Sequence, residues 1–419
     1  MIGPLQGIRI LDLSMGWAGP LACRHLADMG ADVIKIESCE RFDWWRSWEA
    51  TPEWIEDDGA EKSSAFNTVN RNKRNITLDL EHGEGRALFL ELVKTAHAVV
   101  ENYSSGVLPK LDLDYQVLKS VNENIVLLSM PAFGSTGPWA DFRAYGSTVE
   151  HASGLPHLNG FAQDPPTMQH VAYGDAMGGL TGASALLTAL RHQAATGEGQ
   201  FVDLSQVEAL QTLACHGVLE FAVSGRSPAR LGNRSERFAP HGVYPCLATE
   251  EEADAWVVIQ IFEEPQWHAL QQLASPVLDD FGDRADRLSR NDELDEALAK
   301  WTKPQQGREL MYLLQSNGVP AAVTNSAATL LHDDQLNARG FWQYRDRAVV
   351  GRQPNPSAPY RKGAQPIEIT TPAPTLGQHN HEVLQGILGL SDAELARLVQ
   401  LGVIGDRPRM PAGKNDQAQ

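Results

Sequence analysis

The 419-residue chain is 42% hydrophobic and 21% charged, with a formal net charge of −18 at pH 7. Its length exceeds one ordinary hydrophobic core, so two domains are expected; its charge would repel phosphates, which argues against a nucleic-acid partner and demands a locally basic pocket for any anionic ligand. No apolar run reaches the roughly 18 residues of a membrane span, and the start MIGPLQGIRILDL lacks the basic region of a secretory signal, so a cytoplasmic protein with no membrane partner is expected.

Residues 8–13 alternate as a buried strand, SMGWAGP turns the chain, and LACRHLADMG reads as a helix stopped by Gly30. ADVIKIE (31–37) reads as a second strand. Strand, glycine turn, helix and strand make a βαβ unit, which implies a parallel sheet. A dinucleotide site is set aside: Glu37 ends the second strand as a ribose reader would, but SMGWAGP is not G-x-G-x-x-G. Residues 40–65, with FDWWRSWEATPEWIEDDGAEK, read as an irregular surface excursion whose indoles cover core edges. Further strands are expected at ITLDL, AVVENY and 125–130, with a helix at GEGRALFLELVKTA. A long helix follows Asp175 to about His192; its Gly178, Gly182, Ala185 and Ala189 lie about one turn apart and give a flat face for close packing. FVDLS is a strand, and the capping box Ser205 to Glu208 opens another helix.

Residues 224–240 have no period and read as a linker. Beyond them a hairpin around TEEEAD, helices near 264–274, 292–301 and 304–317, and the short strand AAVT suggest a smaller α+β domain. Residues 341–370 read as strands with proline-rich joints. Two short helices follow, the second opened by the box Ser391 to Glu394, and 406–419 are expected to be disordered. The expected division is 1–224 with 326–419 as a large α/β domain, and 225–325 as the smaller one.

Cys23, Cys39, Cys215 and Cys246 form no C-x-x-C and suggest reduced thiols without a disulfide scaffold. The 13 histidines are scattered and no H-E-x-x-H occurs, so no metal site is expected. The one carboxylate that stands out is Asp175, in VAYGDAMGG (171–179). An aspartate before an apolar, glycine-dotted run ordinarily caps a helix. Read chemically, the same carboxylate is a candidate nucleophile. A following helix favours its charged form, and its glycine neighbours remove side chains that would block an incoming thiol.

Taken together, the motifs resemble the family III coenzyme A transferases, also called the CaiB–BaiF family. WAGPLACRHLADMGADVIKIE (17–37), NRNKRNITLDL, VVENYSSGVLPKLDLDY, FGSTGPWADFRAYG, YGDAMGG, TGEGQFVDLSQVEAL, PHGVYPC, GVPAA, ARGFW, APYR and PTLGQHN follow in the family's order across nearly the whole chain. The resemblance implies a large doubly wound parallel-sheet, Rossmann-like domain built from both chain ends, a smaller α+β domain between, and an interlocked homodimer. It implies acyl-CoA and a small carboxylic acid as substrates, with no tightly bound cofactor. It makes Asp175 the nucleophile. It places Trp17 and Ala18 by the pantetheine or nucleotide, Leu78 by the adenine, Asn102 and Tyr103 flanking CoA, Lys110 at its phosphates, and Arg143 and Tyr145 near the thioester end. Ser38 occupies a CoA-site position that is often Arg in the family.

This chain departs from the family's pattern in places. Besides Ser38, Lys110 replaces a commoner Arg and loses bidentate phosphate recognition. Trp17 stands where some formyl-CoA transferases have Gln, and their glycine-only loop is not visible in 225–262. These departures argue against oxalate or formate and toward a larger or more apolar acyl group. Three other readings stay open. One is a racemase like the alpha-methylacyl-CoA racemases, whose histidine falls at Tyr145, with His151 six residues on. Another is transfer of CoA within one dicarboxylic acid. The last is a non-catalytic CoA-binding protein.

Overall fold

Segments such as AVVE and VLLS are apolar up to their last residue and buried at every position, as the strands of a parallel sheet covered by helices must be. In the computed structural model, which describes residues 3–168, 171–249 and 253–410, six strands form one sheet, mostly buried except for its edge strand FVD. They are β1 (Arg9–Asp12), β2 (Asp32–Glu37), β3 (Arg74–Thr77), β4 (Ala98–Glu101), β5 (Val126–Ser129) and β6 (Phe201–Asp203). Their order is β3-β2-β1-β4-β5-β6, with every pairing parallel. This is the Rossmann-like order, and its direction reverses between β1 and β4.

Alternation along each strand divides the core in two. Leu11, Ile34, Ile76 and Val99 face one side with Phe89, Leu92, Leu384 and Leu398, from the helices Gly83–Val93, Asn380–Leu388 and Asp392–Gln400. Ile10, Val33, Val100 and Leu128 face the other, against the helices Ala18–Asp28 and Tyr173–Thr196. The last two helices pack where Gly179 has no side chain: a Cβ there would lie 2.8 Å from the Ala18 carbonyl oxygen.

The open edge of β3 is closed by residues far along the chain. Asn75 donates its N–H to His379 Nδ1 at 3.0 Å, His379 returns one to the Asn75 carbonyl at 2.9 Å, and Thr77 donates to Asn380 Oδ1 at 2.8 Å. The chain then runs back over the strand ends, where Asp79 donates to the Val403 carbonyl and Arg409 to that of Cys39.

The stretch 40–65 is no loose excursion. Asp43, Arg46 and Glu61 are buried, and they join it to the sheet through Lys35–Asp43 at 2.8 Å, Arg46–Glu37 at 3.0 Å and Arg46–Glu61 at 3.0 Å. Arg347 adds a bond to Glu61 at 2.7 Å. Its short helices Pro52–Glu56 and Ser64–Val69 begin at Thr51 and Ser63, whose hydroxyls accept the N–H groups of Trp54 and Phe66.

The chain divides into two compact units: residues 1–155, 168–219 and 335–419 form one, and 156–167 with 220–334 form the other. The second has its own antiparallel sheet of β7 (His241–Pro245), β8 (Trp256–Gln260) and β9 (Ala321–Val323). Its core of Val257, Ile259, Trp267, Leu298 and Leu314 is covered by the helices Glu264–Leu273, Asn291–Thr302 and Gly307–Ser316. A further short helix, Arg284–Ser289, stands where no element is expected from sequence. Residues 250–252 of the acidic hairpin turn and 411–419 of the tail lie outside the described residues.

Candidate active site

In open parallel sheets the crevice for a ligand lies past the strand ends where the strand order reverses. Here that place is between the loops after β1 and β4, and Asn102 spans it. Its amide accepts the Met15 N–H and donates to the Met15 carbonyl, both at 2.8 Å. The brace fixes the turn that opens the helix Ala18–Asp28, whose N-cap is Trp17.

Asp175 meets that helix start. It is the third residue of the helix Tyr173–Thr196, not its cap; Ala172 holds the cap position and no side chain bonds there. The helix begins earlier than expected because Asp175 and Ala176 both donate to the Ala172 carbonyl, at 3.1 and 3.3 Å. The carboxylate therefore turns away from its own helix. Burial raises its pKa to about 6, and the backbone amide of Ala18 offsets part of that rise. Gly146 leaves room on its other side: a Cβ on Gly146 would lie 2.0 Å from Asp175 Oδ2 and 2.3 Å from Ala172 Cβ. Gly174 in turn packs on Val149. The result is a desolvated carboxylate facing the first amide of one helix from the first turn of another, the kind of setting in which reactive carboxylates are found.

The other candidate residues are dispersed over the same unit. Ala18 adjoins Asp175 through its backbone amide, and Trp17 is the residue before it, with its ring 5.5 Å from that of Trp45. Tyr145, exposed, is the N-cap of the helix Gly146–Ala152 and stands edge-on to Trp44 and Trp48, with ring centres 5.8 and 5.3 Å away. Tyr103 donates its N–H to Glu101 at 2.7 Å, and burial, with Glu101 beside it, pushes its phenol far above the ordinary range. Ser38 follows β2, and its hydroxyl accepts the Arg41 N–H at 2.9 Å. Leu78 is 1% exposed, lies in the core and donates its N–H to the Glu37 carbonyl at 2.7 Å, so it shows almost no surface to a nucleotide. Lys110, ending the helix Val107–Lys110, and Arg143 are both exposed. Among the described residues neither forms an ion pair with Asp175 or any other acid. Glu37 is no ribose reader, because Arg46, Asn75 and the Asp43 N–H hold both its oxygens.

Some residues near the crevice went unsingled in the sequence. Gly146 follows Tyr145 in FRAYGS, and nothing local marks it as the neighbour of Asp175. Glu101 at the end of β4 is buried, accepts bonds from Ser129 and the Tyr103 N–H, and is raised to about 7 by burial, opposed by those bonds. Beneath the loops lies a buried pair, Lys73–Asp12 at 2.8 Å, in which Lys73 also donates to the Pro20 carbonyl and Asn70 Oδ1. Burial works to raise the Asp12 carboxyl, but Lys73 and Lys35 overcome it and hold it below its ordinary value. Among the described residues no group of three His, Cys, Asp or Glu side chains converges as metal ligands would, and no helix is long and apolar enough to cross a membrane.

Residues 5–380 match the CoA-transferase family III. The chain is 33% identical over 390 residues to a succinate–glutarate CoA-transferase of Agrobacterium fabrum, covering 91% of this chain and 95% of that one. It is 31% identical over 406 residues to a succinyl-CoA–D-citramalate CoA-transferase of Chloroflexus aurantiacus, covering 96% and 98%. A solved CaiB/BaiF family protein from Brucella suis superposes with a TM-score of 0.81 at 31% identity, over 92% of this chain and all of that one. With a match that runs through both ends of the parallel sheet and the Asp175 helix, the chain belongs to the family III CoA-transferases and is a transferase enzyme.

Proposed function

We propose that Asp175 carries CoA from an acyl-CoA donor to a carboxylic acid through covalent intermediates. A carboxylate oxygen of Asp175 attacks the donor carbonyl, the C–S bond breaks, and CoA leaves as thiolate, giving a mixed anhydride. The thiolate then attacks the aspartyl carbonyl and releases the donor acid as carboxylate. An incoming carboxylate displaces CoA from the aspartyl thioester to form a second anhydride. Attack of the thiolate on its acyl carbonyl yields the new thioester and frees Asp175. Bond energy is conserved at each exchange, so no external energy source enters.

The observation that carries this reading is the setting of Asp175. A pKa of about 6 leaves the group ionised at neutral pH while making it more basic than a solvated carboxylate. The Ala18 amide is placed to stabilise charge on that side, and one such donor is typically worth ~3 kcal/mol of transition-state stabilisation. Trp17, Ala18, Ser38, Leu78, Asn102, Tyr103, Lys110, Arg143 and Tyr145 form the proposed CoA site, with Lys110 and Arg143 supplying positive charge. The working protein is proposed to be a cytoplasmic interlocked homodimer with no tightly bound cofactor. Its partner would cover Val218, Leu219, Phe221 and Val223, which are 54–91% exposed on the helix Gln206–Ser224.

The test is trapping. Protein incubated with acyl-CoA and then hydroxylamine should carry a hydroxamate on the peptide containing Asp175, seen by mass spectrometry. Turnover with that peptide unmodified rejects the mechanism. A racemase reading finds less support, since His151 is exposed with its ring Nδ1 2.8 Å from the Ser147 carbonyl of its own helix. Exchange of an α-hydrogen in deuterated water by Asp175→Asn protein would revive it.

A further inference from the structure

Five aromatic rings form a continuous wall beside the nucleophile, and nothing in the transfer chemistry itself requires them. Trp17 and Trp45 have ring centres 5.5 Å apart, and Trp45 meets Trp44 edge-on at 6.1 Å. Trp44 stacks on Trp48 at 4.4 Å, and Tyr145 stands edge-on to both. The wall comes up to Asp175 from two places in the chain, through the residues that follow Trp17 and Tyr145. Trp17 precedes Ala18, whose amide faces the carboxylate, and Tyr145 precedes Gly146, whose missing Cβ makes room for Asp175 Oδ2.

The wall is held rigidly. Asp43, just before Trp44, accepts the Gly16 and Trp45 N–H groups at 2.8 and 2.9 Å while paired with Lys35. A Cβ on Gly16 would lie 2.1 Å from Trp44 Cζ2, so the turn and the indole are in contact. Yet Trp48 is 63% exposed and Tyr145 58%. Ordered aromatic surface left open beside a reactive carboxylate is a surface prepared for an apolar ligand.

From this arrangement we infer that the acyl group handled at Asp175 is neutral and bears an aromatic ring. The inference rests on the transfer reading above. Two other acyl classes fit the wall less well. A compact dicarboxylate needs a cation for its far carboxylate; Lys35, Arg41 and Arg46, cations of this loop region, are paired with Asp43, Glu81 and Glu37, and Arg143, exposed and without an ion pair among the described residues, is taken up by CoA in the reading above. A quaternary ammonium group needs ring faces converging on one point. Here Trp44 and Trp48 turn their faces to each other, and Arg143 lies two residues before Tyr145. A planar ring can continue the stack on Trp48 or pack edge-on as Tyr145 does, with centres ~4.5–7 Å apart.

The test is calorimetric titration of Asp175→Ala protein, which binds thioesters without turnover, with phenylacetyl-CoA, acetyl-CoA, succinyl-CoA and trimethylammonioacetyl-CoA. Phenylacetyl-CoA is expected to bind about tenfold more tightly than acetyl-CoA, an effect on the scale of one good ring contact. Adding Trp48→Ala should bring that ratio close to one, whereas Trp48→Phe should keep most of it; circular dichroism monitors folding of each. Tightest binding of the succinyl or trimethylammonio thioester overturns the inference, as does a ratio that Trp48→Ala leaves unchanged. Trapping on wild-type protein is read separately. No adduct with any donor rejects the aspartyl mechanism, while the binding order still decides the acyl class.

Discussion

Asp175 ionises in a site that holds its pKa near 6, above the ordinary 3.8, mainly because burial disfavours the charge. As the proposed nucleophile it must be deprotonated, so kcat should rise with pH through about 6 and level off by neutrality, in a stopped-time transfer assay between pH 5 and 8. Stability runs the opposite way. A raised folded-state pKa means the fold binds the proton more tightly than the unfolded chain, so this group's contribution is greatest below about pH 4 and is lost as pH rises through 6. Asp175→Asn should therefore be the more stable protein at pH 8, by roughly 1–2 kcal/mol after allowing for partial exposure, while inactive in transfer. Gly146→Ala tests the room beside the carboxylate. The added carbon would collide with both Oδ2 and Ala172 Cβ, and an ångström-scale displacement of Asp175 should lower kcat about 10–100-fold with little change in CoA affinity. Lys110→Ala should instead weaken CoA binding by ~1–3 kcal/mol at low salt, and unchanged affinity would remove Lys110 from the site. At this scale the sequence was readable where a motif is contiguous, as with YGDAMGG. It was mute where a neighbour arrives from elsewhere: Gly146 and Ala18 meet Asp175 only through tertiary packing.

The helix Tyr173–Thr196 and the helix Ala18–Asp28 act as one device, because their contact sets where the Ala18 amide stands. Gly179→Val should drive Ala18 and Leu21 away, destabilising the protein by ~1–3 kcal/mol as overpacking does and lowering kcat as well; urea midpoints and transfer rates measure the two. Lys73→Met should be worse for stability, by ~3–5 kcal/mol, since it leaves Asp12 buried without its main partner and releases the Pro20 carbonyl. The additional change Asp12→Asn should restore part of that loss. The small-residue period of the long helix could be read from the sequence because 3.6-residue repetition is local; Gly178, Gly182 and Ala189 are buried and Ala185 is half-buried. The start of that helix could not. Ala172 supplies no capping side chain, and the packing of Gly174 on Val149 sets the boundary instead of local chemistry. The stretch 40–65 misled for the same reason: a run of acids and indoles looks solvated until Arg46, Lys35 and Arg347 are found holding it.

For the whole molecule, the βαβ unit legible in 8–37 foretold a parallel sheet, and its strands were visible one by one, but their order in the sheet is set by tertiary pairing. The sequence did not show how the sheet is finished. The outer edge of β3 is closed by His379 and Asn380, and the strand ends by residues 403–409. During synthesis that edge waits for a partner 304 residues away, on the order of 15–60 s at ~5–20 residues per second. The first sheet to emerge from the ribosome is therefore the last to be sealed, with an open strand for sticking in the interval. A chain stopped before residue 370 should aggregate when expressed, and supplying 370–410 as a separate segment during refolding should recover soluble protein.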